Sequence, residues 1–226
     1  GAVSTSNVLA AKMFDIPVSG TQAHSWIQSF DSELEAFRAY AEIHPENTIL
    51  LVDTYDTIKS GVPNAITIAR EMEAKGQKLK AIRLDSGDLA YLSKKARKIL
   101  DAAGLKDVKI IASNQLNEFV INSLLKDQNA PIDMFGVGTE MVTGKSDASL
   151  DGVYKLAAIN DSPKMKFSEN VAKSTLPGKK TLYRYFDENG NFYRDAVVME
   201  KEHPDQIEKI YHSVYPEKNT TLTGLK

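Results

Sequence analysis

Short apolar runs alternate with amphipathic stretches along the first two thirds of the chain, and this alternation limits the possible folds more than any other feature. Between the runs, residues 33–42, 64–75 and 89–103 place apolar side chains at helical spacing, which predicts three helices. The runs themselves are IPVSGT, TILLVDTY, LKAIRLDS, VKIIASN and DMFGVGT. Continuous apolar strands separated by helices are typical of βαβ units with a parallel sheet. We therefore predict an α/β fold, either a barrel or an open doubly wound sheet.

Polar or glycine residues end each of the later runs. In a parallel α/β fold the carboxyl ends of the strands lie at one edge, where the loops that form active sites meet. Several consecutive polar strand ends favour a functional site over ordinary turn chemistry. The candidate residues at this edge are Asp53, Asp56, Arg83, Asp85, Asp88, Ser113, Asn114, Gly138 and Thr139.

The pattern changes after about residue 147. The runs GVYKLAAIN and TLYRYFDENGNFYRDAVVME alternate apolar and polar residues, as antiparallel strands do. Within the second run, Asn189-Gly190 is a strong signal for a type I′ hairpin turn. We therefore predict an α/β region over residues 1–147 and a β-rich segment with a tail over residues 148–226, with a loop at 164–180.

Composition excludes several classes of function. Lys and Arg total 28 against 30 Asp and Glu, with no basic block, which argues against nucleic acid or an anionic membrane as a partner. The absence of cysteine excludes disulfides, thiolate nucleophiles and cysteine-bound zinc. No apolar run approaches the length of a membrane span and no signal peptide opens the chain, so we expect a cytoplasmic protein.

The stretch IRLDSGDL carries two carboxylates, Asp85 and Asp88, around a Ser-Gly pair. In one interpretation Asp88 caps the helix that follows, and the stretch is a turn. In the other, both carboxylates bind a polyol, or Mg²⁺ attached to one, while Arg83 holds an anion. The spacing alone leaves both interpretations open.

The stretch FGVGTEM carries Gly136 and Gly138 before Thr139. Glycine lets backbone N–H groups approach a ligand closely, and successive amides can surround an anion. No Gly-Lys-Ser/Thr follows at the spacing of a P-loop. Phosphate binding is one interpretation of this stretch, and an ordinary glycine turn is the other.

His24, in SGTQAHSW, lies between an apolar run and a helix, in line with the other polar strand ends. A lone histidine is more often structural than catalytic. No two histidines have the spacing of metal ligands, which argues against a zinc site. Asp53 or Asp56 could orient such a histidine by accepting the N–H of its far nitrogen, or could cap the next segment.

Taken together, these stretches resemble the nicotinate phosphoribosyltransferase family. Seven separate segments agree with the family in order and spacing, over roughly residues 1–200. They are STSNVLAAKMFDIPVSGTQAHSW, DTYDTIKSGVPNA, AIRLDSGDLAYLSKKAR, IIASNQLNE, FGVGTEMVT, GVYKLAAI, and PKMKFSE with KSTLPGKK. The resemblance implies the irregular, incomplete (β/α) barrel of the type II phosphoribosyltransferases, followed by a β-rich C-terminal segment.

The resemblance also implies an enzyme of pyridine nucleotide salvage and NAD biosynthesis. Family members form nicotinate mononucleotide and pyrophosphate from nicotinate and phosphoribosyl pyrophosphate, with ATP hydrolysis coupled through a phosphohistidine. That role falls on His24 here, with Asp53 supporting it and Asp85 completing the catalytic set. Mg²⁺ would arrive with phosphoribosyl pyrophosphate or ATP, aided by Asp85 or Asp88, so that no metal is held by protein ligands alone.

Substrate-binding roles follow from the same resemblance. They fall on Ser6, Arg83, Asp88, Ser113, Asn114, Gly138 and Thr139. Gly138 and Thr139 would hold the 5′-phosphate, and Asp85 would bind the ribose hydroxyls. Arg83 would face the carboxylate of the base or a phosphate. Ser6 aligns where nicotinamide-using relatives carry aspartate, and a hydroxyl does not repel the anionic group of nicotinate.

Two alternatives to this function stay open. One is a relative that uses nicotinamide or quinolinate, which Ser6 and His24 respectively disfavour. The other is an inactive domain that binds a phosphoribosyl ligand, because family chains extend upstream of Gly1 with a region that supplies groups around the base. Family members are usually dimers with sites near the subunit interface, so the resemblance implies a homodimer.

Overall fold

The computed structural model of the chain describes residues 2–143, 152, 154–166, 175–212 and 215–222. The chain divides into two compact units, Gly1–Lys155 with Lys166–Ser174, and Leu156–Met165 with Thr175–Lys226. The boundary that the sequence predicts near residue 147 lies outside the described residues, as do residues 167–174 of the predicted loop at 164–180, so both stay predictions.

A four-stranded parallel sheet forms the centre of the first unit, as the alternation of runs predicts. Its strands, in their order across the sheet, are β1 (Ile49–Leu51), β2 (Ala81–Leu84), β3 (Lys109–Ser113) and β4 (Met134–Gly136). Leu50 lies opposite Ile82, and Ile82 lies opposite Ile110. These three side chains are fully buried, which explains why the runs are continuously apolar.

Helices precede the sheet and connect its strands. They are α1 (Val8–Phe14), α2 (His24–Gln28), α3 (Glu33–Ile43), α4 (Val62–Glu73), α5 (Leu89–Ala102), α6 (Glu118–Asn122) and α7 (Thr139–Thr143), with a π-helical turn at Ser123–Asp127. The three predicted helices correspond to α3, α4 and α5. Ser32 begins α3 and Asp88 begins α5, because each side chain accepts a backbone N–H of the first turn.

A second π-helical turn, Thr57–Gly61, joins the end of β1 to α4. Asp56 begins this turn, since its carboxylate accepts two of the backbone N–H groups. Its capping interpretation is therefore the one that the structure supports. A Cβ on Gly61 would overlap the backbone carbonyl of Val52. Glycine thus allows the turn to pack directly against the end of β1.

The helices bury one face each in a common apolar core with the strands. Phe37 of α3, Ile68 of α4 and Leu100 of α5 are all at most 1% exposed and belong to this core. Removing apolar surface from water stabilises the fold by about 25 cal/mol per Å². The core therefore holds the strands, and the residues that follow them, in fixed positions.

The run IPVSGT does not form a strand, contrary to its interpretation from the sequence. Val18 makes one isolated parallel bridge with Thr5. The Thr5 N–H donates to the Pro17 carbonyl at 2.9 Å, and the Ser19 N–H donates to the Thr5 carbonyl at 3.0 Å. Proline has no N–H to donate, so the pairing does not continue through residue 17.

Antiparallel strand pairs make up the second unit, as its alternating pattern predicts. The strands are β5 (Ala158–Ile159), β6 (Ser162–Pro163), β7 (Lys180–Phe186), β8 (Phe192–Met199), β9 (Lys209–Tyr211) and β10 (Asn219–Thr221), with a 3₁₀ turn at Pro204–Gln206. They pair as β5 with β6, β7 with β8, and β9 with β10. A small core of Tyr185, Ala196, Val198 and Leu222 stabilises this unit.

The hairpin of β7 and β8 confirms the position of the predicted turn but not its type. The connecting loop is Asp187–Asn191, longer than the two residues of a type I′ turn. Asp187 Oδ1 accepts the N–H groups of Asn189 (2.9 Å) and Asn191 (2.8 Å), and Gly190 has a φ of 79°. The aspartate organises this longer loop, which the Asn-Gly signal alone does not indicate.

Candidate active site

Polar side chains meet where the parallel strands end. Asp85 directly follows β2, Ser113 ends β3, and Thr54 lies just beyond β1. Parallel strands end at the same edge of a sheet, so these side chains come together although they are distant in sequence. His24, at the start of α2, joins them from the segment that precedes the sheet.

Asp85 and Arg83 form the centre of this cluster. The Ser113 hydroxyl donates to Asp85 Oδ1, and Arg83 Nη2 lies 3.2 Å from the same oxygen. Arg83 also donates from Nε to Ser113 Oγ at 3.0 Å and from Nη1 to Thr21 Oγ1. These contacts hold the planar guanidinium in one orientation beside the carboxylate.

The pKa of Asp85 lies well below the ordinary value for aspartate. Burial raises the pKa of this carboxyl, but the nearby imidazole of His24, the Ser113 hydroxyl and the positive charge of Arg83 lower it and outweigh the effect of burial. The carboxylate therefore stays ionised at neutral pH. An ionised carboxylate at a sheet edge can accept hydrogen bonds from sugar hydroxyls or contact a cation.

Both ring nitrogens of His24 have neighbours, and its side chain is only 12% exposed. Nδ1 lies 3.0 Å from Thr54 Oγ1, and Nε2 lies 3.1 Å from Lys166 Nζ. Asp85 Oδ2 is 3.6 Å from Nε2, which is beyond hydrogen-bond distance. The sequence left His24 open between a structural and a catalytic interpretation, and its place beside Asp85 favours the catalytic one.

Asp53 contacts Asp85 and not His24. Its buried Oδ2 accepts the Asp85 backbone N–H at 2.9 Å and the Ser86 hydroxyl at 2.5 Å. The expected contact with the far nitrogen of His24 is made by Thr54 instead. Successive residues of an extended chain point to opposite sides, so these two neighbours serve different partners. A catalytic role for Asp53 stays a prediction, and it would act through Asp85.

Three other predicted residues lie outside this cluster of contacts. Asp88 Oδ1 accepts the Tyr91 N–H at 2.9 Å, which matches the capping interpretation of that carboxylate. Asn114 follows the end of β3 with a left-handed φ of 85°. Ser6 is exposed and lies in the segment before α1. Substrate-binding roles for these three residues stay predictions.

The two glycines of FGVGTEM have different surroundings. A Cβ on Gly136 would lie 3.3 Å from the Cβ of Ser113, so glycine leaves room for the side chain that holds Asp85. A Cβ on Gly138 would meet no atom of the described residues within 4 Å. Packing therefore does not explain Gly138. Phosphate binding by Gly138 and Thr139 stays a prediction.

The sequence did not predict three residues of the cluster, Thr21, Thr54 and Lys166. Thr21 and Thr54 lie in stretches that were singled out, so including every polar residue of those stretches would have found them. Lys166 is 142 residues from His24, and no local pattern connects the two. Its only signal is its position in PKMKFSE, one of the segments that carry the family resemblance.

Two features are not found in the part of the chain that the structure describes. No three His, Asp or Glu side chains gather there into a metal-binding group. Asp85 and Asp88 are carboxylates at the sheet edge that could contact a Mg²⁺ ion arriving with phosphate ligands, and this role stays a prediction. No helix in the same described residues is both long and apolar enough to cross a membrane.

The fold and the cluster together define an α/β protein with a candidate site at the carboxyl edge of a parallel sheet. The model of the nicotinate phosphoribosyltransferase (NAPRTase) family matches residues 2–212. The chain belongs to this family, which confirms the resemblance seen in its motifs.

Named relatives agree with this assignment. The nicotinate phosphoribosyltransferase of Bacillus subtilis (strain 168) is 46% identical over 224 residues, covering 95% of this chain and 45% of that protein. The human protein of the same name is 31% identical over 255 residues, covering 89% of this chain and 47% of that protein. The chain thus spans about half the length of the relatives it matches.

Solved structures of the family have the same fold. The crystal structure of human nicotinic acid phosphoribosyltransferase matches with a TM-score of 0.55 and 25% identity, covering 100% of this chain and 53% of that chain. The enzyme from Porphyromonas gingivalis matches with a TM-score of 0.59 and 24% identity, covering 76% of this chain and 48% of that chain, and is a likeness of fold alone. The predicted α/β fold class is confirmed.

Proposed function

We propose that this chain carries the central catalytic part of a nicotinate phosphoribosyltransferase. The reaction would join nicotinate to phosphoribosyl pyrophosphate, releasing nicotinate mononucleotide and pyrophosphate, and would be coupled to ATP hydrolysis through a phosphorylated His24. The observation that carries this proposal is the meeting of His24, Asp85 and Arg83 at one edge of the parallel sheet, in a member of that family.

The demands of the reaction match the chemistry of these side chains. Breaking the C1–O bond of phosphoribosyl pyrophosphate leaves an oxocarbenium-like ribosyl centre and a highly charged leaving group, which must be held apart and aligned with the base. The ionised Asp85 can accept hydrogen bonds from the ribose hydroxyls. Arg83 has five N–H donors, and three of its contacts are with Ser113, Thr21 and Asp85. Its other N–H groups can bind the carboxylate of nicotinate.

His24 would link this chemistry to ATP. In that step the γ-phosphoryl group moves from ATP to an imidazole nitrogen and ADP leaves, and water later removes the phosphoryl group. The phosphoryl group adds about two negative charges near Asp85 and Lys166. Mg²⁺ that accompanies the phosphates would neutralise charge, with Asp85 or Asp88 as its protein contacts.

Removing the imidazole tests this proposal. We expect His24→Ala to abolish phosphate incorporation and ATP coupling, while a slow ATP-independent transfer persists. The assay measures nucleotide formation from nicotinate and from nicotinamide, with and without ATP, and mass spectrometry of the His24 peptide detects the phosphate. His203→Ala is the matched control, since His203 is exposed in the second unit. Unchanged ATP consumption per product in His24→Ala would rule out the role.

A second candidate function is that of a domain that binds a phosphoribosyl ligand without turning it over. The ionised Asp85 beside Arg83 could hold such a ligand without any chemistry following. Calorimetric titration with phosphoribosyl pyrophosphate and Mg²⁺ separates the two candidates. Binding without nucleotide formation would favour the inactive domain. Faster turnover of nicotinamide than of nicotinate would contradict the specificity inferred from Ser6.

We also propose a cytoplasmic homodimer whose partners are the small molecules nicotinate, phosphoribosyl pyrophosphate and ATP. The support for the dimer is the family resemblance, and the mixed charge with a net value of −2 supports neither nucleic acid nor membrane as a partner. Light scattering after gel filtration, at several protein concentrations, measures the oligomeric state.

A further inference from the structure

Lys166 is a buried cation beside the candidate catalytic histidine. The residue is 3% exposed, and its Nζ lies 3.1 Å from His24 Nε2. Lysine is almost never fully buried unless a partner compensates for the lost hydration of its charge. The ammonium lies against the same ring nitrogen that faces Asp85, so it can influence where the ring carries its proton.

The two neighbours of His24 together decide where the ring carries its proton. An ammonium group has three donors and no acceptor, so Nε2 must offer its lone pair to Lys166. A neutral imidazole then carries its proton on Nδ1, where Thr54 Oγ1 can accept it at 3.0 Å. A threonine hydroxyl can donate or accept and so adapts to either tautomer, whereas the lysine does not. Asp85 Oδ2 also faces Nε2, but at 3.6 Å it is beyond hydrogen-bond distance, so Lys166 at 3.1 Å is the group that selects the tautomer.

We propose that Lys166 is a positioning residue for His24, whose ammonium group keeps Nε2 of the imidazole unprotonated. The consequence for phosphoryl transfer rests on the proposed function, whereas the tautomer itself does not. In the transfer, the bond between the γ-phosphorus and its bridging oxygen breaks and a bond from Nε2 forms. The proton on Nδ1 stays on the ring, ADP leaves, and the ammonium donates to the phosphoryl oxygens in place of the lone pair.

The tautomer can be measured directly by NMR. The chain has four histidines, so labelling them with ¹⁵N and recording two-bond ¹H–¹⁵N correlations shows which ring nitrogen of each is protonated. His24→Gln assigns the signal. We expect the Nδ1–H form for His24 near neutral pH. We expect Lys166→Met, which keeps the length of the side chain but removes its charge, to convert the ring to the Nε2–H form, whose N–H points towards Asp85.

Two further variants complete this experiment. Lys164→Met, two positions earlier in the chain, should leave the His24 signals unchanged. Lys166→Arg keeps the charge and should keep the Nδ1–H form, which guards against a variant that merely disturbs the fold. A wild-type ring protonated on Nε2, or a tautomer that Lys166→Met does not alter, overturns the proposal whether or not the chain forms nucleotide.

Phosphorylation provides a second measurement. We expect phosphate incorporation at His24 from ATP to fall on the order of 10²-fold in Lys166→Met, because a ring with its proton on the attacking nitrogen is a poor acceptor. Lys164→Met should be unaffected, and Lys166→Arg should recover part of the loss. Absence of phosphorylation in the wild type contradicts the proposed function, and the NMR result then decides the role of Lys166 separately. Equal phosphorylation of wild type and Lys166→Met overturns that role.

Discussion

Each of the two units contains an Arg–Asp ion pair, and the two pairs differ in their surroundings. Arg83 and Asp85, in the first unit, have side chains that are 24% and 28% exposed. Arg184 and Asp195 join β7 to β8 in the second unit through two hydrogen bonds of 2.8 and 2.9 Å, and their side chains are 58% and 34% exposed. The hairpin pair has the better hydrogen-bond geometry but the more exposed position.

The difference shows that the position in the sheet, and not the pair of residue types, makes a candidate site. An exposed pair across two antiparallel strands is screened by water and salt. A pair at the end of a parallel strand lies beside the ends of the neighbouring strands, and so Asp85 meets Ser113 and His24. Buried and exposed positions in the two units should also differ in how much they contribute to stability, and substitutions can test this difference.

The largest expected effect compares a buried aromatic ring of the first unit with an exposed aromatic ring of the second. Phe37→Ala should lower the free energy of unfolding by about 3–5 kcal/mol, because it leaves a cavity in a fully buried core. Phe192→Ala should cost less than about 1 kcal/mol, since that ring is 59% exposed and the Arg184 guanidinium lies over it, 5.0 Å from its centre. Urea unfolding followed by circular dichroism measures both. Equal losses would contradict the contrast between the units.

The next effect compares two glycines. Gly61→Ala should cost about 1–3 kcal/mol or more, because its Cβ would overlap the backbone of Val52. Gly190→Ala should cost about 1 kcal/mol, since its Cβ would meet no atom of the described residues within 4 Å and its left-handed φ is what is unfavourable. Asparagine tolerates that conformation, so Gly190→Asn should recover stability. Thermal unfolding measures both losses, and a larger fall in melting temperature for Gly190→Ala than for Gly61→Ala would contradict this order.

The smallest expected effect is a difference between the two ion pairs in how strongly each makes the free energy of unfolding depend on pH. The pKa values of Asp85 and Asp195 both lie below the ordinary value, for Asp195 because of its hydrogen bond with Arg184. A depressed pKa stabilises the folded state above the unfolded pKa, about 4, and this contribution is lost as the pH falls towards the folded value. Asp85→Asn should therefore flatten the acid side of the stability curve more than Asp195→Asn.

Urea unfolding between about pH 3 and pH 7 checks this order. Fluorescence of Trp26, the single tryptophan, reports on the first unit, and circular dichroism reports on the whole chain. High salt should reduce the effect of Asp195→Asn further, because that pair is exposed. A larger change for Asp195→Asn would mean that exposure does not separate the two pairs.

Many strands and helices of the first unit could be predicted because the sequence patterns that indicate them are local and agree with one another. The apolar runs of β1, β2 and β3 are continuous since both faces of the sheet are buried. The capping role of Asp88 was one of two interpretations, and the hydrogen bond from the Tyr91 N–H confirms that role, while substrate binding by Asp88 stays a prediction. The run IPVSGT was misread because a short apolar stretch with proline has no signal that distinguishes a strand from a single bridge.

The candidate site could be predicted less completely. Arg83, Asp85, Ser113 and His24 were found because each one ends a run or begins a helix. The predicted contact of Asp53 with His24 is made by Thr54, which the sequence did not indicate, because the side of the chain on which each residue points depends on packing beyond the strand. Lys166 was missed because a contact across 142 residues has no local signature.

The amino-acid sequence by itself determined the order of strands and helices, the polar character of the strand ends and the family. Those properties arise from residue type and spacing within short stretches, where backbone preferences and burial act locally. Only the tertiary structure decided which polar groups touch, how Asp85 comes to be ionised and which cation reaches His24. Such contacts depend on how distant segments pack, because hydrogen bonds and charges act over a few ångströms of space and not along the chain.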